Sequence, residues 1–277
     1  MDIGVLGPFK VVQSGVSVVP TAAKPRQVMA LLALSPDRLV PVDALVEEVW
    51  GENPPRSVQT TLQTYVLQLR GRIAKALGGS ARGDLPLGPK SVLITMPGGY
   101  LLDTQGGAVD VREFDRLSGA GHRALEAGDC AGASSRFRQA LDLWSGPALV
   151  DVQCGALLEV EAMRLGESRM SILGRRIEAD LRLGRHHELV GELAGFAARY
   201  PMHEGLQAQL MLALYRVGRR GSALEIYQRL RSVLGRELGL DPSPELRNLQ
   251  RAVLDSDPLL DVERDRPGAP HRLLEAI

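Results

Sequence analysis

The sequence predicts an α+β winged helix-turn-helix domain at the N-terminus, followed by an all-α domain of tandem helix pairs. Three observations carry this. The short β-prone runs are confined to residues 1–105. Within them, two amphipathic helical patterns are joined by the stiff turn Gly51-Glu52-Asn53-Pro54-Pro55-Arg56. From Asp110 onward the pattern is almost wholly helical, and a short motif recurs there at 34 residues. A chain of 277 residues has room for two domains. We place them at 1–105 and 106–256, with a joint at Gly106-Gly107 and a flexible tail over 257–277 rich in Pro, Asp and Arg.

The N-terminal elements follow in order. Residues 3–6, 9–12 and 16–19 are β-prone, the last two separated by Gln13-Ser14-Gly15, whose Ser-Gly pair suits a tight hairpin turn. Residues 21–34 shift to helical spacing, with Pro25 in the first turn, where its missing N–H costs least. Leu39-Val40 makes a short strand. Residues 42–50 form a short helix with Val42, Leu45, Val46 and Val49 on one side, and Trp50 at its end is an anchor. Helix, stiff turn, helix is what a helix-turn-helix needs, because the first helix braces the second in the major groove.

The second helix, over 57–77, is the centre of the reading. Its apolar stripe is Val58, Leu62, Tyr65, Val66, Leu69, Ile73 and Leu77. The opposite side carries Ser57, Thr60, Gln63, Thr64, Leu67, Gln68 and Lys75, with Arg56, Arg70 and Arg72 at its end and flanks. Thr and Gln hydrogen-bond base edges, and Arg holds phosphate or guanine. An ordinary solvated helix would more often carry Glu and Lys on that face. After it come a loop with Arg82 and Lys90, then strands 92–95 and 100–102 around Met96-Pro97-Gly98-Gly99. This hairpin is a wing, with Gly98, Gly99, Tyr100 and Lys90 placed to touch the neighbouring backbone. Lys24 and Arg26, near the start of the first helix, are either further phosphate contacts or solvated surface charges. Three strands, three helices and a hairpin resemble the OmpR-type winged helix. The competing reading is a small α+β domain that docks protein.

Net charge is zero, but its distribution is not uniform. Residues 1–105 hold 10 basic and 8 acidic residues; between Arg56 and Lys90 there are six basic residues and one acid. The positive field is therefore local to the 57–77 helix and its C-terminal flank, as a DNA-binding element requires. Cys130 and Cys154 have no metal-ligand spacing and suit free thiols in a reducing cytoplasm. No apolar run approaches membrane-spanning length.

In the second domain the helices fall at 111–127, 130–143, 155–183, 186–199, 204–217, 221–236 and 244–254. Leu181-Arg182-Leu183-Gly184-Arg185 and Tyr215-Arg216-Val217-Gly218-Arg219 correspond, and the two glycines stand 34 residues apart, the tetratricopeptide period. Ala127-Gly128-Asp129, 56 residues before Gly184 by its glycine, marks a diverged earlier unit, the array being interrupted by a long extra helix. Stacked pairs of this kind present a protein-binding surface. No catalytic arrangement emerges. Gly88-Pro89-Lys90-Ser91 lacks the glycine pattern of a phosphate loop. His186-His187 has no ligand partner at metal spacing and reads as surface. Asp142, Asp151, Glu159 and Glu161 read as helix-face or cap charges. We expect no enzyme and no cofactor.

Several stretches together resemble the Streptomyces antibiotic regulatory protein family: Val5-Leu6-Gly7-Pro8, Lys24-Pro25-Arg26-Gln27, Val49-Trp50-Gly51 with Pro54-Pro55, Thr60 through Val66, Gly98-Gly99-Tyr100, Leu143-Trp144-Ser145-Gly146-Pro147, Gly218-Arg219 through Tyr227, and Glu237-Leu238-Gly239 with Pro242. The likeness covers about residues 2–254 and is nearest to activators of aromatic polyketide clusters. It implies a pathway-specific activator of a secondary-metabolite gene cluster. It further implies binding to direct repeats near promoters as head-to-tail copies and recruitment of RNA polymerase holoenzyme; whether a small-molecule effector tunes binding is left open by the sequence. Larger members add nucleotide-binding or phosphopeptide-reading domains, for which the chain is too short. A tetratricopeptide-type scaffold that binds protein and no DNA is the alternative.

Overall fold

In the computed structural model, which describes residues 1–78 and 88–260, the chain opens with an antiparallel sheet of β1 (Asp2–Gly4), β2 (Lys10–Gln13) and β3 (Val16–Ser17). The β2–β3 turn is Ser14-Gly15, both with positive φ, the geometry of a two-residue hairpin. Three helices follow: α1 (Ala23–Leu34), α2 (Val42–Trp50) and α3 (Val58–Gly78). β4 (Leu39–Pro41) lies between α1 and α2 in sequence but pairs with β6 (Gly99–Leu102), which pairs with β5 (Leu93–Met96). The wing is thus a three-stranded sheet. A single turn, α4 (Pro89–Val92), precedes it. The apolar stripe expected on α3 is the buried one: Leu62, Val66, Leu69 and Ile73 are each at most 2% exposed. Arg82 and residues 261–277 of the expected tail lie outside the described residues.

Among the described residues seven longer helices follow: α5 (Asp110–Glu126), α6 (Cys130–Asp142), α7 (Ala156–Arg182), α8 (His186–Arg199), α9 (Glu204–Arg216), α10 (Arg220–Glu237) and α11 (Pro244–Asp255). The repeat is visible in the helix ends. Gly128, Gly184 and Gly218 all have φ near +78°. In each, the glycine N–H donates to the carbonyl three residues back and the next N–H donates to the one five residues back. This is one left-handed cap used three times, and a Cβ at that φ would be strained. The helix pairs are therefore α5–α6, α7–α8 and α9–α10. No extra helix interrupts them: the added length is the segment 143–155 and a longer α7, whose C-terminal half opens the second pair.

The chain divides into two compact units, Met1–Ser118 with Gln139–Met170, and Gly119–Arg138 with Ser171–Ile277. Its cuts fall inside α5, α6 and α7. The first unit takes in the start of α5, the 143–155 segment and the N-terminal half of α7. Three carboxylates explain this. Asp110 accepts hydrogen bonds from the N–H groups of Val5 and Leu6 at 2.7 and 2.8 Å. Asp151 accepts one from Phe9 N–H at 2.7 Å and pairs with Arg26. Glu48, on α2, accepts from Gly155, Leu157 and Leu158 N–H at 2.5–3.0 Å and so caps α7.

In the second unit, Asp180 is 1% exposed and accepts from Ser134 Oγ (2.7 Å), Arg185 (2.8 Å), Arg138 and Arg176 (both 3.3 Å). Arg176, also buried, makes a bidentate pair with Glu192. The network ties α6, α7 and α8 together. His186, expected at the surface, is 6% exposed, because it begins α8 on the same side as Leu189 and Leu193; His187 is the exposed one. Both ring nitrogens of His186 are buried without a hydrogen-bond partner. Burial, with the positive charge of Arg216 and the neighbouring His187, pushes its imidazole down to about 4. The folded chain therefore binds fewer protons at this site than the unfolded chain between about pH 4 and 6.5, so stability falls as pH drops through that window. Thermal melts from pH 7.5 to 4.5 should show this slope in the native protein. His186→Leu should flatten it, by up to about 3 kcal/mol at the acid end.

Candidate nucleic-acid interface

The candidate interface is built on α3. The turn 51–57 enters it, and Trp50 at the end of α2 stacks on Tyr65 of α3, ring centroids 5.9 Å apart and 10° from parallel. Lys24 of α1 lies over the same indole at 5.2 Å. All three helices thus meet at one aromatic pair, which sets the angle of α3 against its brace. On the far side of α3, Arg56, Ser57, Thr60, Gln63, Thr64, Leu67, Gln68, Gly71 and Lys75 are exposed. These positions fall within one stripe at helical spacing. Thr64 donates its hydroxyl to Thr60 O at 2.9 Å, so its oxygen is left as an acceptor. Lys90, on the turn before the wing, is exposed as well.

Other residues expected on this surface are engaged elsewhere. Arg70 donates Nε and Nη2 to Leu93 O at 3.0 and 2.7 Å, and Nη2 also to Thr95 Oγ1 at 2.8 Å. Its fork clamps the wing to α3, because residue 70 flanks the buried stripe and faces β5. Arg72 donates to Val19 O at 3.2 Å and holds the chain beyond the first sheet. Arg26 is spent on Asp151, an outcome neither of its two sequence readings contained. Gly99 and Tyr100 point inward: Tyr100 is 8% exposed, and a Cβ on Gly99 would collide with the carbonyl of Val40 on the paired strand. The exposed tip is Thr95, Met96, Pro97 and Gly98, where Pro97-Gly98 makes the turn with Gly98 at φ +81°.

Glu48 is the supporting residue that the sequence reading passed over. It is 3% exposed, and burial raises its carboxyl above the ordinary range although three backbone N–H groups pull it down. The available signal was a carboxylate three residues after Leu45 on the buried side of α2. Among the described residues no cluster of His, Cys, Asp and Glu is arranged to hold a metal ion. Both cysteines are free thiols. No helix of the described residues is long and apolar enough to cross a membrane.

Comparison with known proteins agrees with this architecture. A family described as bacterial transcriptional activator domain matches residues 109–254, and one described as transcriptional regulatory protein, C terminal, matches residues 17–82. The chain is 52% identical over 270 residues to the regulatory protein DnrI of Streptomyces peucetius, covering 98% of this chain and 97% of the relative. It is 36% identical over 261 residues to the regulatory protein AfsR of Streptomyces coelicolor, covering 94% of this chain but 25% of that much longer protein. Among solved structures, Mycobacterium tuberculosis EmbR in complex with a low affinity phosphopeptide superposes with a TM-score of 0.82 at 33% identity, over 93% of this chain and 65% of that one. Relatives of this kind are transcription regulators and not enzymes. The chain accordingly belongs to the Streptomyces antibiotic regulatory protein family, DNA-binding transcription activators built from an OmpR-type winged helix and a bacterial transcriptional activator domain.

Proposed function

We propose that this activator lays α3 in the major groove of direct DNA repeats, as head-to-tail copies, and recruits RNA polymerase to an antibiotic biosynthesis gene cluster. The observation that carries the reading is the exposed stripe of hydroxyls and amides on α3, edged by Arg56 and Lys75 and free of acids. Thr60, Gln63, Thr64 and Gln68 face base edges; Arg56, Ser57, Lys75 and Lys90 hold phosphates; the wing tip at Met96–Gly98 meets the adjacent backbone. Arg70 and Arg72 position the wing and the first sheet, and Lys24 steadies Trp50 within reach of the backbone. The α5–α11 helices present the surface for the polymerase or for a neighbouring copy.

Genome-wide mapping of bound DNA names the site, and mobility-shift titration of the full chain at several salt concentrations tests the contacts. Gln63→Ala should relax preference at one base position, at about 1–3 kcal/mol for a bidentate pair. Arg56→Ala should weaken all sequences alike and lower the salt slope by roughly one. Arg70→Ala should weaken binding through a displaced wing while the salt slope stays close to native. Absence of salt-sensitive DNA binding by the full chain defeats the proposal in favour of a protein-docking scaffold.

A further inference from the structure

We infer that Leu67 reads the C5-methyl group of a thymine, making it a specificity determinant of the binding site. The inference rests on the major-groove reading above and deepens it. Leu67 is 70% exposed, more than any other large apolar side chain among the described residues. It does not sit at the margin of the α3 stripe but near its midline: at about 100° per residue, Thr60 and Leu67 point within about 20° of each other. Its exposed neighbours on that face are Gln63, Thr64, Gln68 and Gly71. Leu67 is the one large apolar side chain among the exposed residues of that face.

Gly71, one turn further on, supplies the second observation. It lies inside α3, where glycine is the least favourable residue apart from proline. A Cβ there would meet no atom of the described residues within 4 Å, so packing does not require glycine at this position. Leu67 therefore stands as an apolar knob beside a gap in the side-chain row, open toward the ligand. In the major groove the four bases offer one apolar group, the thymine methyl, while guanine, adenine and cytosine present donors and acceptors. Leucine has no polar atom with which to read those. Packed against the methyl, it favours thymine over cytosine at its position, while Gln63 and Thr64 supply the hydrogen bonds at neighbouring ones. Gly71 lets the helix approach closely enough for that contact.

The test uses the full chain and duplexes of its mapped site in which each thymine in turn is replaced by deoxyuridine, which removes only the methyl group. One thymine per repeat should be sensitive, with affinity falling about fourfold on replacement. Leu67→Ala should melt as the native protein does and bind the unmodified site about as weakly as the native protein binds the deoxyuridine site. It should also bind the thymine and deoxyuridine duplexes equally. If Leu67→Ala keeps the native methyl sensitivity, or if no thymine is sensitive while salt-dependent binding is intact, the inference is overturned and the major-groove reading stands. If Leu67→Ala binds DNA normally but no longer activates transcription, Leu67 faces a protein and the inference again fails. Loss of salt-dependent binding in the native protein would instead defeat the docking reading on which it rests.

Discussion

Asp180→Ala should destabilise the second compact unit by about 3–5 kcal/mol, the range expected when one member of a buried charge network is removed. Asp180 is 1% exposed and holds four donors. Without it, Ser134 Oγ is left buried with no acceptor. Arg176 keeps Glu192 at 2.6 Å, which holds the loss toward the lower end of the range. Arg138 and Arg185 are exposed enough to turn to water. Hydrogen exchange should show the effect first in the amides of α6, α7 and α8, with α3 protected as in the native protein. Uniform loss of protection across α3 and α8 would contradict a defect confined to this unit. Asp180→Asn, which keeps the shape and one acceptor, should cost less.

Glu48→Ala should cost about 2–3 kcal/mol in urea unfolding, by exposing the amides that Glu48 now caps at the start of α7. The carboxylate itself is uncomfortable, since burial outweighs its three donors and raises its pKa. Removing it is still unfavourable, because three helix-terminal N–H groups, one of them on a buried residue, then face no acceptor. Its effect should extend to function. Glu48 is two residues from Trp50, whose ring fixes α3 through Tyr65. DNA affinity of the variant should therefore fall at temperatures where the protein remains folded. A variant of native affinity would show that the α7 cap and the setting of α3 are independent.

The helix-turn-helix, the wing and the run of paired helices were legible because each rests on local chemistry. Helical periodicity marked the buried side of α3 by Leu62, Val66, Leu69 and Ile73, and its complement proved to be the exposed stripe. Glycines at 184 and 218 announced the repeat, and the same backbone at Gly128 shows that even the diverged unit keeps the cap. Helix ends were readable to within about two residues for the same reason: Pro, Gly and apolar spacing act on neighbours in the chain.

What the sequence by itself determined, then, was the order of the elements and which face of α3 looks outward. Only tertiary structure decided how the charged side chains are spent. Arg70, Arg72 and Arg26 look alike as free cations in a linear chain, yet their guanidinium groups reach 23, 53 and 125 residues away to Leu93, Val19 and Asp151. Glu48 and Asp110 are likewise ordinary acids until the fold brings amides more than 100 residues distant against them. Long polar side chains have the reach to choose among distant partners, and a partner exists only once the backbone has been placed. For that reason the division into compact units, to which those carboxylates contribute, follows from tertiary structure and not from the order of the elements.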